Sequence, residues 1–200
     1  MTRTKILTVA IAIIATLTAG AYAIKRTIKT EPAAKKKTTK IVLIAGKGSH
    51  GKKAHAHEAG VELFKKYLDA AGKDKGVETL VIKNDWPEDP SVLDDAATIV
   101  VYSDGWAKHA LMDKKKTRVA KIRKLMDAGV GLVCIHYAVC PPLGEDATFM
   151  KWIGGYYEDK YSKNPHNKVE VTPGSPKHPL CRGWKPFTTS DEYYYKIRFG

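Results

Sequence analysis

The chain has 200 residues, 44% hydrophobic and 28% charged; this globular composition excludes a collagen-like or wholly disordered protein and allows one domain with a short appendage. Its three cysteines are too few for a disulfide scaffold. The net charge of +13 is uneven, with +2 in residues 1–23, +6 in residues 24–40 and +5 in residues 41–200, and the body has no basic stripe interleaved with aromatics, so a nucleic-acid partner is rejected.

Met1–Lys5 is a short basic start, and Ile6–Ala23 is an uncharged stretch ending in Ala21-Tyr22-Ala23, the small-x-small pattern that a signal peptidase accepts. Residues 1–23 read as an export signal. The alternative is an uncleaved anchor, because a stretch of this length just spans a bilayer and Lys25 and Arg26 directly after it hinder cleavage and translocation. On either reading the body lies outside the cytoplasm, periplasmic or anchored, with membrane contact only through this segment. Residues 24–39 are rich in Lys and Thr without apolar periodicity and are expected to form a solvated tether.

The body, residues 40–200, alternates apolar runs with helical patterns. Ile41–Ala45 reads as a buried strand, Gly48–His57 as a loop, and Glu58–Ala71 as a helix with Val61, Phe64 and Leu68 on one face. Val77–Ile82 is a second strand, Asn84–Pro90 a loop of turn residues, and Thr98–Tyr102 a third strand ending in Ser103-Asp104-Gly105. Lys114–Met126 is an amphipathic helix closed by Gly129, and Val130–Ile135 is the fourth strand. Val169–Val171 and Tyr193–Arg198 are expected as further strands among aromatic loops. The repeated β-α-β pattern predicts an α/β fold, a parallel sheet with helices on both faces.

In such sheets ligands bind beyond the carboxyl ends of the strands. That rule selects Lys47, Ser49, His50, His55 and His57 after the first strand, Ser103, Asp104 and Trp106 after the third, and His136 and Tyr137 after the fourth. His136 directly follows an apolar run, where a strand-to-helix turn presents a base or nucleophile; a core histidine bonded to backbone is the competing reading. His55-Ala-His57 offers two imidazoles to a divalent metal, with His136 or Asp104 completing the shell, although a solvated or substrate-contacting pair is the plainer reading. Asp191-Glu192 before three tyrosines has the composition of a sugar-binding rim, since aromatic faces stack on a pyranose and carboxylates accept its hydroxyl hydrogens; exposed acids at a strand start are the alternative. Trp152 and Tyr156-Tyr157 carry the same ambiguity. Cys134 reads as a buried small hydrophobe, and Cys140 and Cys181 can pair outside the cytoplasm.

Many consecutive stretches resemble one family in order: IVLIAGKGSHG (41–51), HAHEAG (55–60), WPEDP (86–90), IVVYSDG (99–105), GVGLVCIHYAV (129–139), WIGGYYE (152–158), NPH (164–166), HPL-RG (178–183) and DEYYYKIRF (191–199). From Lys40 to Phe199 the chain resembles the trehalose-utilisation (ThuA-like) domain. The resemblance implies a flavodoxin-like three-layer sandwich related to class I glutamine amidotransferases. In that superfamily the fourth-strand elbow carries a cysteine nucleophile. Here His136 matches its position, Cys134 lies two residues earlier, and no later His-x-Glu dyad follows, so cysteine-dependent amide hydrolysis is disfavoured. The resemblance also implies an association with sugar metabolism, with a disaccharide or keto-sugar as the small-molecule carbohydrate; a sugar hydrolase or lyase is one reading of that association and is not fixed by it.

Carried over residue by residue, the family's polar positions are His55, His57, Asp104, His136, Asn164, His166, His178, Asp191 and Glu192. The roles expected are catalysis for His136, Asp104 and Glu192, and substrate contact for the others together with Tyr137. A non-catalytic glycan-binding module and a metal-assisted hydrolase are the alternatives. The family's further C-terminal strand is not matched before Gly200, so a shortened C-terminus with an unpaired sheet edge is expected.

Overall fold

The computed structural model describes residues 38–48, 50–51 and 54–200. The expected leader and nearly all of the tether lie outside them, as does Ser49. Four strands form a parallel sheet: β1 (Thr39–Ala45), β2 (Val77–Ile82), β3 (Ala96–Tyr102) and β4 (Gly131–Ile135), in spatial order β2-β1-β3-β4. β1 starts two residues before the apolar run because Thr39 and Lys40 extend the pairing with Val77 and Glu78.

Side chains alternate across this sheet. Val42, Ile44, Ile99 and Val101 face one core, while Leu43, Ala45 and Val100 face the other. The second core is covered by α1 (His57–Gly72) through Val61, Phe64 and Leu68, the stripe read from the sequence. The first core takes Val119, Ile122 and Leu125 from α2 (Thr117–Asp127) and Phe149 from α3 (Asp146–Ile153). The result is the expected α/β layering, with helices on both faces. No helix among the described residues is long and apolar enough to cross a membrane.

Three expectations are corrected. α2 starts at Thr117, not Lys114, because the Asp113 carboxylate accepts the backbone N–H groups of Thr117 and Arg118 at 2.9 Å each, and Lys116 is left-handed with φ of 54°. Asp113 thus caps the helix from outside its first turn. α3 was not anticipated. It is short and closed by Gly154 at φ of 76°, and its stripe has too few turns to stand out.

The third correction concerns the C-terminal region. The strand expected at Tyr193–Arg198 is instead β7 (Phe187–Glu192), which pairs antiparallel with β6 (His166–Val171). A separate two-residue strand, β8 (Arg198–Phe199), pairs with β5 (Gly155–Tyr156). The β6–β7 register sets His166 opposite Glu192, so the hairpin base, not its tip, carries the acids. β4 has no partner on its outer side among the described residues. All three cysteines are free, so Cys140 and Cys181 are unpaired, and Cys134 is half-buried.

Candidate functional site

The strand order reverses between β1 and β3, and an open α/β sheet leaves its crevice at such a switch point. The chain leaving β1 passes Ser103 closely at Gly46. A Cβ on Gly46 would lie 2.4 Å from the Cβ of Ser103 and 2.7 Å from its Cα. Backbone cannot yield cheaply there, so Gly46→Ala is expected to cost about 1–3 kcal/mol in urea unfolding. Unchanged stability would show that the loop does not pack on Ser103.

Asp104, next to Ser103, is 1% exposed and receives three imidazoles on one oxygen. His55 Nδ1 lies 3.0 Å, His50 Nδ1 3.4 Å and His57 Nε2 3.6 Å from Asp104 Oδ1. Beyond His55, its Nε2 meets His136 Nε2 at 3.2 Å, and His136 Nε2 lies 3.5 Å from Glu192 Oε2. Asn164 Nδ2 donates to Glu192 Oε1 at 2.6 Å and Tyr157 Oη donates to Asn164 Oδ1 at 3.1 Å. A polar chain therefore runs Asp104–His55–His136–Glu192–Asn164, drawing on the ends of three parallel strands and the hairpin.

Three residues at this mouth hold left-handed backbone without being glycine: His55 (φ 50°), Trp106 (φ 53°) and His136 (φ 54°). Such conformations concentrate at functional sites because the surroundings must over-determine them. His136 opens the short 3-10 turn after β4, which is the sharp strand-to-helix elbow its position suggested.

The cavity over this chain measures about 830 Å³. Its wall includes His50, His55, His136, Tyr137, Asn164, His166, Asp191 and Glu192, with Tyr102, Trp106, Cys140, Tyr157 and Tyr194 as further lining. The structure thus brings together all but two of the anticipated substrate contacts. His178 is not among them: it sits on the exposed connection between β6 and β7, where its Nδ1 accepts the Leu180 N–H. His57 lies beneath the site, 2% exposed, on the first turn of α1. Among the described residues neither of its ring nitrogens has a hydrogen-bond partner, and its ring meets Tyr102 edge-on. Trp152 and Tyr156 pack against the core. Tyr102 and Cys140 were missed; Tyr102 ends β3 and the strand-end rule reaches it, whereas Cys140 arrives through a turn no pattern signals.

Burial, with the nearby His55, holds the His136 imidazole below its usual value, opposed by the carboxylates of Glu192 and Asp191. Burial also lowers His57 against the pull of Asp104. It pushes the Tyr137 phenol up to about 12 and Tyr194 higher still. Neutral His136 is thus the favoured form, with a lone pair available for a proton.

Among the described residues, two donor sets could hold a cation: His55, His136 and Glu192, or His50, His55 and Asp104, with the ligand atoms of each set within 4.8 Å of one another. His57 belongs to neither, so the alternative in which His55 and His57 share a metal is not among the candidate donor sets of the described residues.

A family model described as ThuA: Trehalose utilisation matches residues 41–199. A solved structure of a protein described as ThuA-like, from Bacteroides uniformis ATCC 8492, is similar at a TM-score of 0.55 and 18% sequence identity, over 84% of this chain and 64% of that one. The chain therefore spans less than two thirds of that protein, and the likeness is one of fold. No curated protein matches.

Proposed function

The chain belongs to the ThuA trehalose-utilisation family, and from that premise we propose that it is a carbohydrate-processing enzyme, acting on a disaccharide or keto-sugar through its paired histidines. The observation that carries this reading is the 3.2 Å contact of His55 Nε2 with His136 Nε2, flanked by Asp104 and Glu192.

The partners set the tautomers. His55 Nδ1–H donates to Asp104, which leaves its Nε2 as an acceptor for His136 Nε2–H. His136 then keeps a lone pair on Nδ1, and Glu192 stands beside the shared proton. Such a pair takes a proton from a sugar hydroxyl, or from a carbon next to a carbonyl, and returns it to a leaving oxygen. Asp104 orients His55 and balances the charge when the pair is protonated. The tyrosines and Trp106 supply faces on which a pyranose stacks. The leader, ending in Ala21-Tyr22-Ala23, supports work outside the cytoplasm.

A second reading rests on the same atoms. Cis ligands about 2.0–2.2 Å from one cation stand roughly 3–3.5 Å apart, and the separations of His136 Nε2 from His55 Nε2 and from Glu192 Oε2, 3.2 and 3.5 Å, fit that spacing. Two imidazoles and a carboxylate suit a divalent transition metal, and Asp104 on the far nitrogen of His55 is the usual outer partner of such a ligand.

One experiment separates these readings. The purified protein is incubated with trehalose and with its keto-oxidised form, and products are followed by NMR. Turnover is expected, and Glu192→Gln, which keeps the Asn164 contact, should lower it at least about 100-fold. A loss on chelation that zinc or manganese restores selects the metal reading; indifference to chelator selects imidazole acid/base work. Binding without turnover defeats the enzyme and leaves a glycan-binding module.

A further inference from the structure

A second cavity, about 470 Å³, lies against the first and shares two of its walls, Trp106 and Tyr157. The two rings stand 6.0 Å apart at 70°, and Trp106 also meets Tyr137 edge-on at 5.4 Å. Trp106 is therefore an aromatic partition, wet on one side by the histidine cavity and on the other by a space that the chemistry above does not use.

The chain goes to some cost to place this indole. The Trp106 backbone is left-handed, held by donation from its N–H to the Cys140 carbonyl at 3.3 Å and by acceptance at its own carbonyl from His109 N–H at 3.2 Å. Gly105 permits the turn, since a Cβ there would lie 2.4 Å from the Cβ of Cys140. Strain of this kind is kept only where surroundings enforce it.

The far side of the partition carries Leu143, Asp146 and Asp159. Glu158 also borders it but is engaged by Arg198 at 2.5 Å. The carboxylates of Asp146 and Asp159 are in no hydrogen bond or ion pair that the described residues supply, and both side chains are exposed. An aromatic wall, an apolar leucine and two unused carboxylates form the set that binds one sugar ring, the rings taking its C–H face and the carboxylates its hydroxyl hydrogens. The volume lies within the range of small-ligand pockets.

We infer that this second cavity is a subsite for the remote ring of a di- or oligosaccharide, whose reacting ring lies in the histidine cavity and whose linkage crosses the Trp106–Tyr157 wall. The inference rests on the carbohydrate reading and adds where the second ring goes.

The test is calorimetric titration of the full chain with trehalose and with glucose. Wild type is expected to bind trehalose at least about tenfold more tightly, because only the disaccharide fills both cavities. In Asp146→Asn/Asp159→Asn that preference should shrink at least fivefold, with melting temperature recorded to show that the fold persists. A wild type without disaccharide preference, or a double variant that keeps it in full, overturns the subsite while leaving glucose binding and the carbohydrate reading intact. Binding of neither sugar overturns the carbohydrate reading, and the subsite with it.

Discussion

On the proposed acid/base reading, His136→Asn is expected to cut sugar turnover by two to four orders of magnitude while leaving the fold as stable as before. The proposed catalytic side follows from position: His136 Nε2 lies within reach of both His55 and Glu192, and a positioned acid/base group is worth about 10²–10⁴ in rate. The stability side follows from backbone. At φ of 54° Asn, like His, is among the non-glycine residues that tolerate the left-handed region, so the exchange adds no backbone strain. His136→Gly should gain up to about 1 kcal/mol, because glycine adopts that backbone freely. The checks are NMR turnover and urea unfolding of wild type and both variants. Retained turnover in His136→Asn ends the catalytic assignment. A loss of several kcal/mol would instead make His136 a structural residue of the elbow.

The second large effect is on pH. His109 is enclosed behind the His136 turn, where its Nε2–H donates to the Ala138 carbonyl at 3.1 Å and its Nδ1 accepts the Leu111 N–H at 3.0 Å. Both nitrogens are committed, and in opposite senses, which fixes one neutral tautomer. Burial lowers its pKa from 6.5 to about 4. The unfolded chain therefore binds a proton that the native chain refuses. Stability from this group is complete above about pH 6.5 and is lost as pH falls toward 4, about 3 kcal/mol in all. His57 and His136 are shifted in the same direction and steepen the same decline. Unfolding midpoints in urea between pH 7.5 and 4 should fall accordingly, whereas His109→Gln should start lower at neutral pH and fall less steeply. Parallel profiles for the two proteins would falsify the claim that His109 is held neutral. Because His109 bonds the residue-138 carbonyl, acid should loosen the His136 turn together with the fold.

The legible parts of the molecule were those in which a local pattern has one physical solution. Ile41–Ala45 and Thr98–Tyr102 are β-branched runs that only a buried parallel strand satisfies. Glu58–Ala71 showed its stripe because four turns repeat it. The shift of α2 to Thr117 was not legible, since it depends on Asp113 reaching forward to cap the helix. Tyr193–Arg198 misled because three aromatic residues have high strand propensity wherever they lie. Pairing across from His166–Val171 decided the matter for Phe187–Glu192, and propensity yields to such partners.

The candidate site divides in the same way. His55 and His57 are alike in the sequence, two residues apart, yet one faces the cavity and the other is sealed beneath it. α1 begins at His57, so the backbone changes direction between them. His166 and His178 are equally alike; the hairpin keeps the first at the pocket and carries the second out along its connection.

By itself the amino-acid order determined the kinds of element, the ends at which polar loops gather, and the stock of imidazoles, carboxylates and aromatic rings available for chemistry. Those follow from the spacing of apolar groups, which each short segment expresses alone. Only the tertiary structure decided that His55 and His136, 81 residues apart, should touch, and that Glu192 rather than His57 should join them. That outcome depends on strand order and hairpin register, and both are set by contacts between segments that no single stretch of chain contains.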